Sequence, residues 1–168
     1  MPLRLQMGYE IHRSVNSVAG NPRIYEFTGN LTGVGNDYFW IGGVSSERWD
    51  SQYPEECLGP DLPDASKELQ SMQLCQTPDN YYYQALFNAL KAGWRLMQVH
   101  NVGSHGSRLF NEMIKRAMKE ANISEEYMRE LRNTVDHCAS LGNKPDIVVD
   151  WKRFNMVLSC QPSFFLGT

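Results

Sequence analysis

From residue 77 onward the chain alternates between short apolar runs and amphipathic segments of helix length. That alternation constrains the fold more than any other feature. Residues 95–100, 133–137 and 156–160 read as buried strands. Strands joined by helix-length connections pair in parallel through right-handed crossovers, and near-continuous apolar strands fit a sheet covered by helices. The helices are legible in outline. Thr77 before Pro78 reads as an N-cap with proline at the first helical position. Tyr83, Leu86, Phe87 and Leu90 form a stripe at i, i+3, i+4, i+7, and Gly93 ends it. Leu109, Phe110, Met113, Ile114, Ala117 and Ala121 form the next, with Lys115, Arg116, Lys119 and Glu120 on its solvated side. Ser124 caps a third helix with Glu125 and Glu126 in its first turn, where the helix dipole favours acid. Pro145 opens a fourth, carrying Ile147, Val148, Trp151 and Phe154.

The first half is less regular. Residues 8–18 read as a helix. Asn21 and Pro22 punctuate, and residues 23–27, with Ile24, Tyr25 and Phe27, read as a strand. Residues 29–37 are rich in Gly, Asn and Thr and read as a loop. Residues 38–44 are a second strand, in which Gly42 and Gly43 suggest a bulge or a close backbone approach. Residues 45–78 carry Pro54, Pro60, Pro63 and Pro78, two cysteines and no clear period. Such a stretch is a functional loop or a flexible excursion. The expected architecture is α/β, with strands at 23–27, 38–44, 95–100, 133–137 and 156–160 adjacent and parallel in that order. No internal repeat is visible. The last strand has no helix after it, which fits an open five-strand sheet or a cut through a larger barrel.

The 168 residues suit one domain spanning 1–168. Apolar residues make up 42% and charged residues 21%, as in soluble globular proteins. A net charge of −3 with no basic face argues against nucleic acid as a partner. No apolar run is long enough to cross a membrane, and the amino terminus lacks the apolar stretch of a secretory signal. Cys57, Cys75, Cys138 and Cys160 show no C-x-x-C spacing, so a disulfide framework is not expected; Cys138 and Cys160 read as buried free thiols, and a reducing, cytoplasmic setting fits.

His100 and His137 close consecutive strand-like runs. In a parallel sheet or barrel the carboxyl ends of neighbouring strands share one rim, where active sites are built. Imidazole is the commonest side chain holding catalytic zinc or iron. A single buried histidine is more often a hydrogen-bonded core residue, but the pair proposes half of a metal site.

Gly93-Trp94 leading into the strand that ends at His100, Arg132-x-x-Val135-Asp136-His137, and Ser159-x-Gln161-Pro162 follow one another in this order. Together they resemble the amidohydrolase family 3 proteins, the YtcJ-like branch of the metal-dependent amidohydrolases. Ile41-Gly42-Gly43-Val44 also resembles a strand end of that family. Each motif is weak alone; the ordered set, covering the chain from about residue 23 onward, is fairly specific. The resemblance implies a partial (β/α)8 barrel holding strands three to seven. His100 and His137 would be metal ligands on strands five and six, and the cofactor a divalent metal, zinc first. Three departures stand out. The family's His-x-His on strand one and its aspartate on strand eight have no counterpart; His12 precedes Arg13 and Ser14. Ser45 stands where the family commonly has lysine, and serine cannot be carboxylated to bridge two metals. Ser104 replaces the aspartate of His-x-x-Gly-Asp.

Other residues have blander readings. His105 reads as an exposed loop histidine, and His12 as structural or exposed. Asp136 has an orienting or structural role, because alternation turns it away from the His137 side. Gln161 is divided between facing a substrate and orienting a loop. Tyr81, Tyr82 and Tyr83 are helix packing rather than a binding platform. No catalytic or substrate-binding residue is assigned. The resemblance implies part of a metal-dependent hydrolase that cleaves an amide-like C–N bond in a small molecule with metal-activated water. The alternative is a non-catalytic α/β module that binds a small ligand or a partner. Incomplete walls imply self-association and no turnover by the isolated chain.

Overall fold

The computed structural model describes residues 4–11, 21–46, 48–51, 54–61, 66–137 and 144–160. In chain order the elements are β1 (Leu5–Glu10), α1 (Ile24–Thr28), β2 (Phe39–Ser46), a 3-10 turn (Gly59–Asp61), α2 (Lys67–Met72), α3 (Tyr81–Lys91), β3 (Leu96–Asn101), α4 (Ser104–Ala121), α5 (Glu125–Leu131), β4 (Thr134–His137), α6 (Pro145–Arg153) and β5 (Val157–Cys160). The five strands form one sheet in the order β1-β2-β3-β4-β5, and every neighbouring pair is parallel.

Four strands fall where the apolar runs place them. The first does not. Residues 23–27, expected as a strand, lie almost wholly in α1. The Asn21 side chain accepts from the Arg23 N–H at 2.9 Å, and Arg23 pairs with Glu26 one turn on at 2.6 Å. Trp94 donates its indole N–H to the Tyr25 carbonyl at 3.0 Å, and the two rings meet edge to face. Local capping and one tertiary anchor outweigh the β-propensity of Ile24, Tyr25 and Phe27. The missing strand is β1, which takes the start of the segment read as a helix over 8–18. Leu5, Met7 and Tyr9 alternate with period two along it. Residues 12–18 of that segment, His12 among them, lie outside the described residues.

Both readings of the paired glycines hold. Register shifts from Met7 opposite Ile41 to Gly8 opposite Gly43, so Gly42 is the bulge. Gly43 has φ 147°, and any side chain there would collide with the carbonyl of Arg95, the residue just before β3.

The helices make a row: α1 packs on α3, α3 on α4, and α4 on α6, while α3 also lies against β2 and β3. The core between them joins Val44, Leu96, Val99 and Val135 of the sheet to Leu86, Leu90, Phe110, Met113, Ile114 and Trp151 of the helices. The expected stripes are therefore the buried faces, except that Val148 is exposed. Ser124 caps α5 by accepting from the Tyr127 N–H at 3.0 Å. Helix α3 starts later than its proline suggested: Asn80 is its N-cap, and the Asn80 side chain accepts from the Thr77 N–H. Tyr83 is buried and stacks on Phe87 and Trp49, so the tyrosine run packs the helix. Lys115 pairs with Asp150 and Arg116 with Glu120 on the solvated side of α4.

Candidate metal centre

The rim is set by where β3 and β4 end. Their register places His100 beside Asp136 and Asn101 beside His137. Strict alternation would therefore put Asp136, not His137, on the His100 face. His137 departs from it with a left-handed backbone, φ 71°. The His100 and His137 ring centroids lie 4.5 Å apart, with 55° between the planes. Positive φ is uncommon outside glycine, though histidine takes it more readily than most residues, and Gln98, Asn122, Arg132 and Asn155 share it here. The sequence correctly brings the two histidines to one rim; the backbone turn that joins them is not legible in it.

His100 is held from behind. Its Nδ1 lies 3.2 Å from Oδ1 of Asp50, whose side chain is 0% exposed. Asp50 accepts two further bonds, from the Val102 N–H at 2.9 Å and the Gly103 N–H at 2.7 Å. Burial pushes its carboxyl above the usual aspartate range, and the bonds from His100, Val102 and Gly103 oppose that shift. Two partial positive charges at the start of α4 thus face a carboxylate, as helix electrostatics favour.

Asp50 was not singled out from the sequence, because it sits in the unperiodic 45–78 excursion. The available signal was its place shortly past the carboxyl end of β2, on the rim where His100 and His137 lie. The excursion is packed around Trp49, Asp50 and Cys57, which are fully buried. Trp49 is buried between Tyr83 and Phe110, at ring distances of 5.9 and 5.2 Å, and donates to the Gly106 carbonyl at 2.9 Å. The Gly106 N–H donates to the Cys57 carbonyl at 2.9 Å. A side-chain carbon on Gly103 would strike the Cys57 backbone, so the loop rests directly on the first turn of α4. Cys57 and Cys75 form a disulfide, although the cysteine count and spacing gave no expectation of one. The two cysteines looked unrelated by motif, but packing of the excursion brings them together. Cys138 lies outside the described residues.

Glu56, half-buried, stands near Asp50; burial first, then the Asp50 charge, holds its carboxyl above the usual glutamate range. His105 is part-buried in the first turn of α4, against Gly59, rather than exposed in a loop. Ser104 opens the same helix and is buried. Ser45 lies on β2, and its carbonyl accepts from the Ile11 N–H. Gln161 lies outside the described residues.

Two imidazoles, one backed by the Asp50 carboxyl, are a donor set that suits a borderline divalent ion such as zinc. Among the described residues no group of three or more His, Cys, Asp or Glu side chains is placed to hold an ion. No helix among them is long and apolar enough to cross a membrane. In comparisons with known proteins the chain matches no family model, no curated protein and no solved structure.

Proposed function

We propose that this chain is part of a metal-dependent hydrolase of the amidohydrolase type, with His100 and His137 as two ligands of one divalent metal, zinc first. The observation that carries the reading is the 4.5 Å approach of the two imidazoles at the carboxyl ends of neighbouring parallel strands. The unbroken strand order and the single row of packed helices support a partial (β/α)8 barrel, since a doubly wound sheet reverses its order. Zinc bound there would lower the pKa of its water and polarise the carbonyl of a small amide-like substrate. The chain's own residues hold the ligands: His100 from β3, braced by the excursion, and His137 by its turned backbone. A catalytic zinc generally uses three protein ligands plus water, so further ligands come from outside the described residues. The isolated chain is therefore expected to hold metal weakly and not to turn over amides.

The alternative, a non-catalytic module that binds a small ligand or partner, is favoured by one observation: the described rim offers two imidazoles and no third ligand. Nucleic acid and membrane remain poor partners on charge and hydropathy. The Cys57–Cys75 disulfide favours an oxidising compartment over the cytoplasm. Titration calorimetry of chelator-stripped protein with zinc separates the readings. Metal-dependent hydrolase ancestry predicts one zinc site, abolished in both His100→Ala and His137→Ala. Zinc affinity that is absent, or unchanged by both substitutions, refutes it.

A further inference from the structure

We propose that Asp50 is a positioning residue that locks His100 in the tautomer with hydrogen on Nδ1, leaving the Nε2 lone pair facing the rim. The inference deepens the metal reading but stands on its own geometry. An ionised carboxyl can only accept, and the two backbone N–H groups aimed at its oxygens favour that form of Asp50 against the cost of burial. Both Asp50 oxygens already face backbone donors: Oδ1 takes the Val102 N–H at 2.9 Å and Oδ2 the Gly103 N–H at 2.7 Å. The third neighbour, 3.2 Å from Oδ1, is His100 Nδ1. A group with two acceptor oxygens so engaged calls for a third donor, and neutral imidazole supplies one only if its proton is on Nδ1. The other nitrogen is then left as the acceptor or ligand atom.

The arrangement is held because two distant pieces of chain meet at Asp50, the excursion and the continuous β3–α4 junction. The excursion supplies the carboxylate, the end of β3 the imidazole, and the approach to α4 the two N–H groups. Trp49 pins the excursion on one side of Asp50, and the Cys57 backbone against Gly103 pins it on the other. Solvent does not reach the side chain to compete. A buried carboxylate placed this way costs desolvation that its three hydrogen bonds must offset.

The test uses the whole chain, stripped of metal and uniformly labelled with nitrogen-15. Long-range proton–nitrogen correlation spectra, at a pH where imidazole is neutral, report the tautomer of each histidine; His100→Gln assigns the His100 signals. The expected result is an Nδ1–H tautomer for His100 in the unsubstituted protein. In Asp50→Asn, whose amide can donate, a shift toward Nε2–H is expected, while His105 keeps its pattern. A purely structural Asp50 would lower thermal stability without moving the tautomer. Zinc affinity in Asp50→Asn should fall by roughly 10–100-fold. An Nε2–H form of His100 in the unsubstituted protein overturns the proposal even if Asp50→Asn fails to fold. So does an unchanged tautomer in a folded Asp50→Asn. If the Nδ1–H tautomer is present but the unsubstituted protein takes up no zinc, the positioning role stands and the metal reading fails.

Discussion

At the scale of single residues, the site depends on one backbone angle. His137 holds φ 71° at the last position of β4. Left-handed backbone disfavours L-residues by roughly 1–2 kcal/mol, and glycine escapes that cost. The strain has a measurable signature. His137→Gly should be more stable toward urea than His137→Val by about 1–2 kcal/mol, because a β-branched side chain fits this φ worst. Equal stabilities would mean that β4 ends in ordinary extended backbone and that the imidazoles do not meet as described. Residue identity was the more legible part of the site: His100 and His137 stand out because each closes an apolar run. Asp50 does not, because nothing local marks an acidic residue in an unperiodic segment as buried. Its role depends on Val102 and Gly103, which are distant in sequence.

At the scale of elements, amphipathic helices with clear caps were readable, and β3 to β5 followed from their apolar runs. The failures at α1 and β1 share a cause. Short segments carry little periodic signal, so a single cap at Asn21 and one contact from Trp94 decide α1. The excursion was readable only as an interruption. Its order comes from tertiary packing of Trp49 and from the Cys57–Cys75 bridge, which closes a separation of 18 residues. A loop of that length is stabilised by about 3 kcal/mol on the chain-entropy account. Reduction, or Cys57→Ala with Cys75→Ala, should lower stability by roughly that amount in chemical denaturation. It should also weaken zinc uptake, because the segment carrying Asp50 loses a tether. Stability and zinc uptake both unchanged by reduction would show that the bridge contributes nothing to the rim.

At the scale of the whole molecule, the parallel order of β2 to β5 was legible because helix-length connections leave few alternatives. The order leaves β1 and β5 as the two edge strands of the sheet. Exposed apolar side chains occur on both edge strands, Leu5, Met7 and Tyr9 on β1 and Leu158 on β5, and elsewhere at Phe27, Val34, Phe39, Met72 and Val149. Parallel edge strands with apolar side chains invite pairing. Sedimentation velocity of the isolated chain should show concentration-dependent association; a monomer at all concentrations would mean that both edges are adequately covered. The central claim is that His100 and His137 share one ion, and zinc-edge X-ray absorption of the loaded chain tests it most directly. The account predicts scattering from two imidazoles at about 2.0–2.1 Å, falling to one in His137→Ala. Bound zinc with no imidazole in its shell, or with the same shell in His137→Ala, would contradict it.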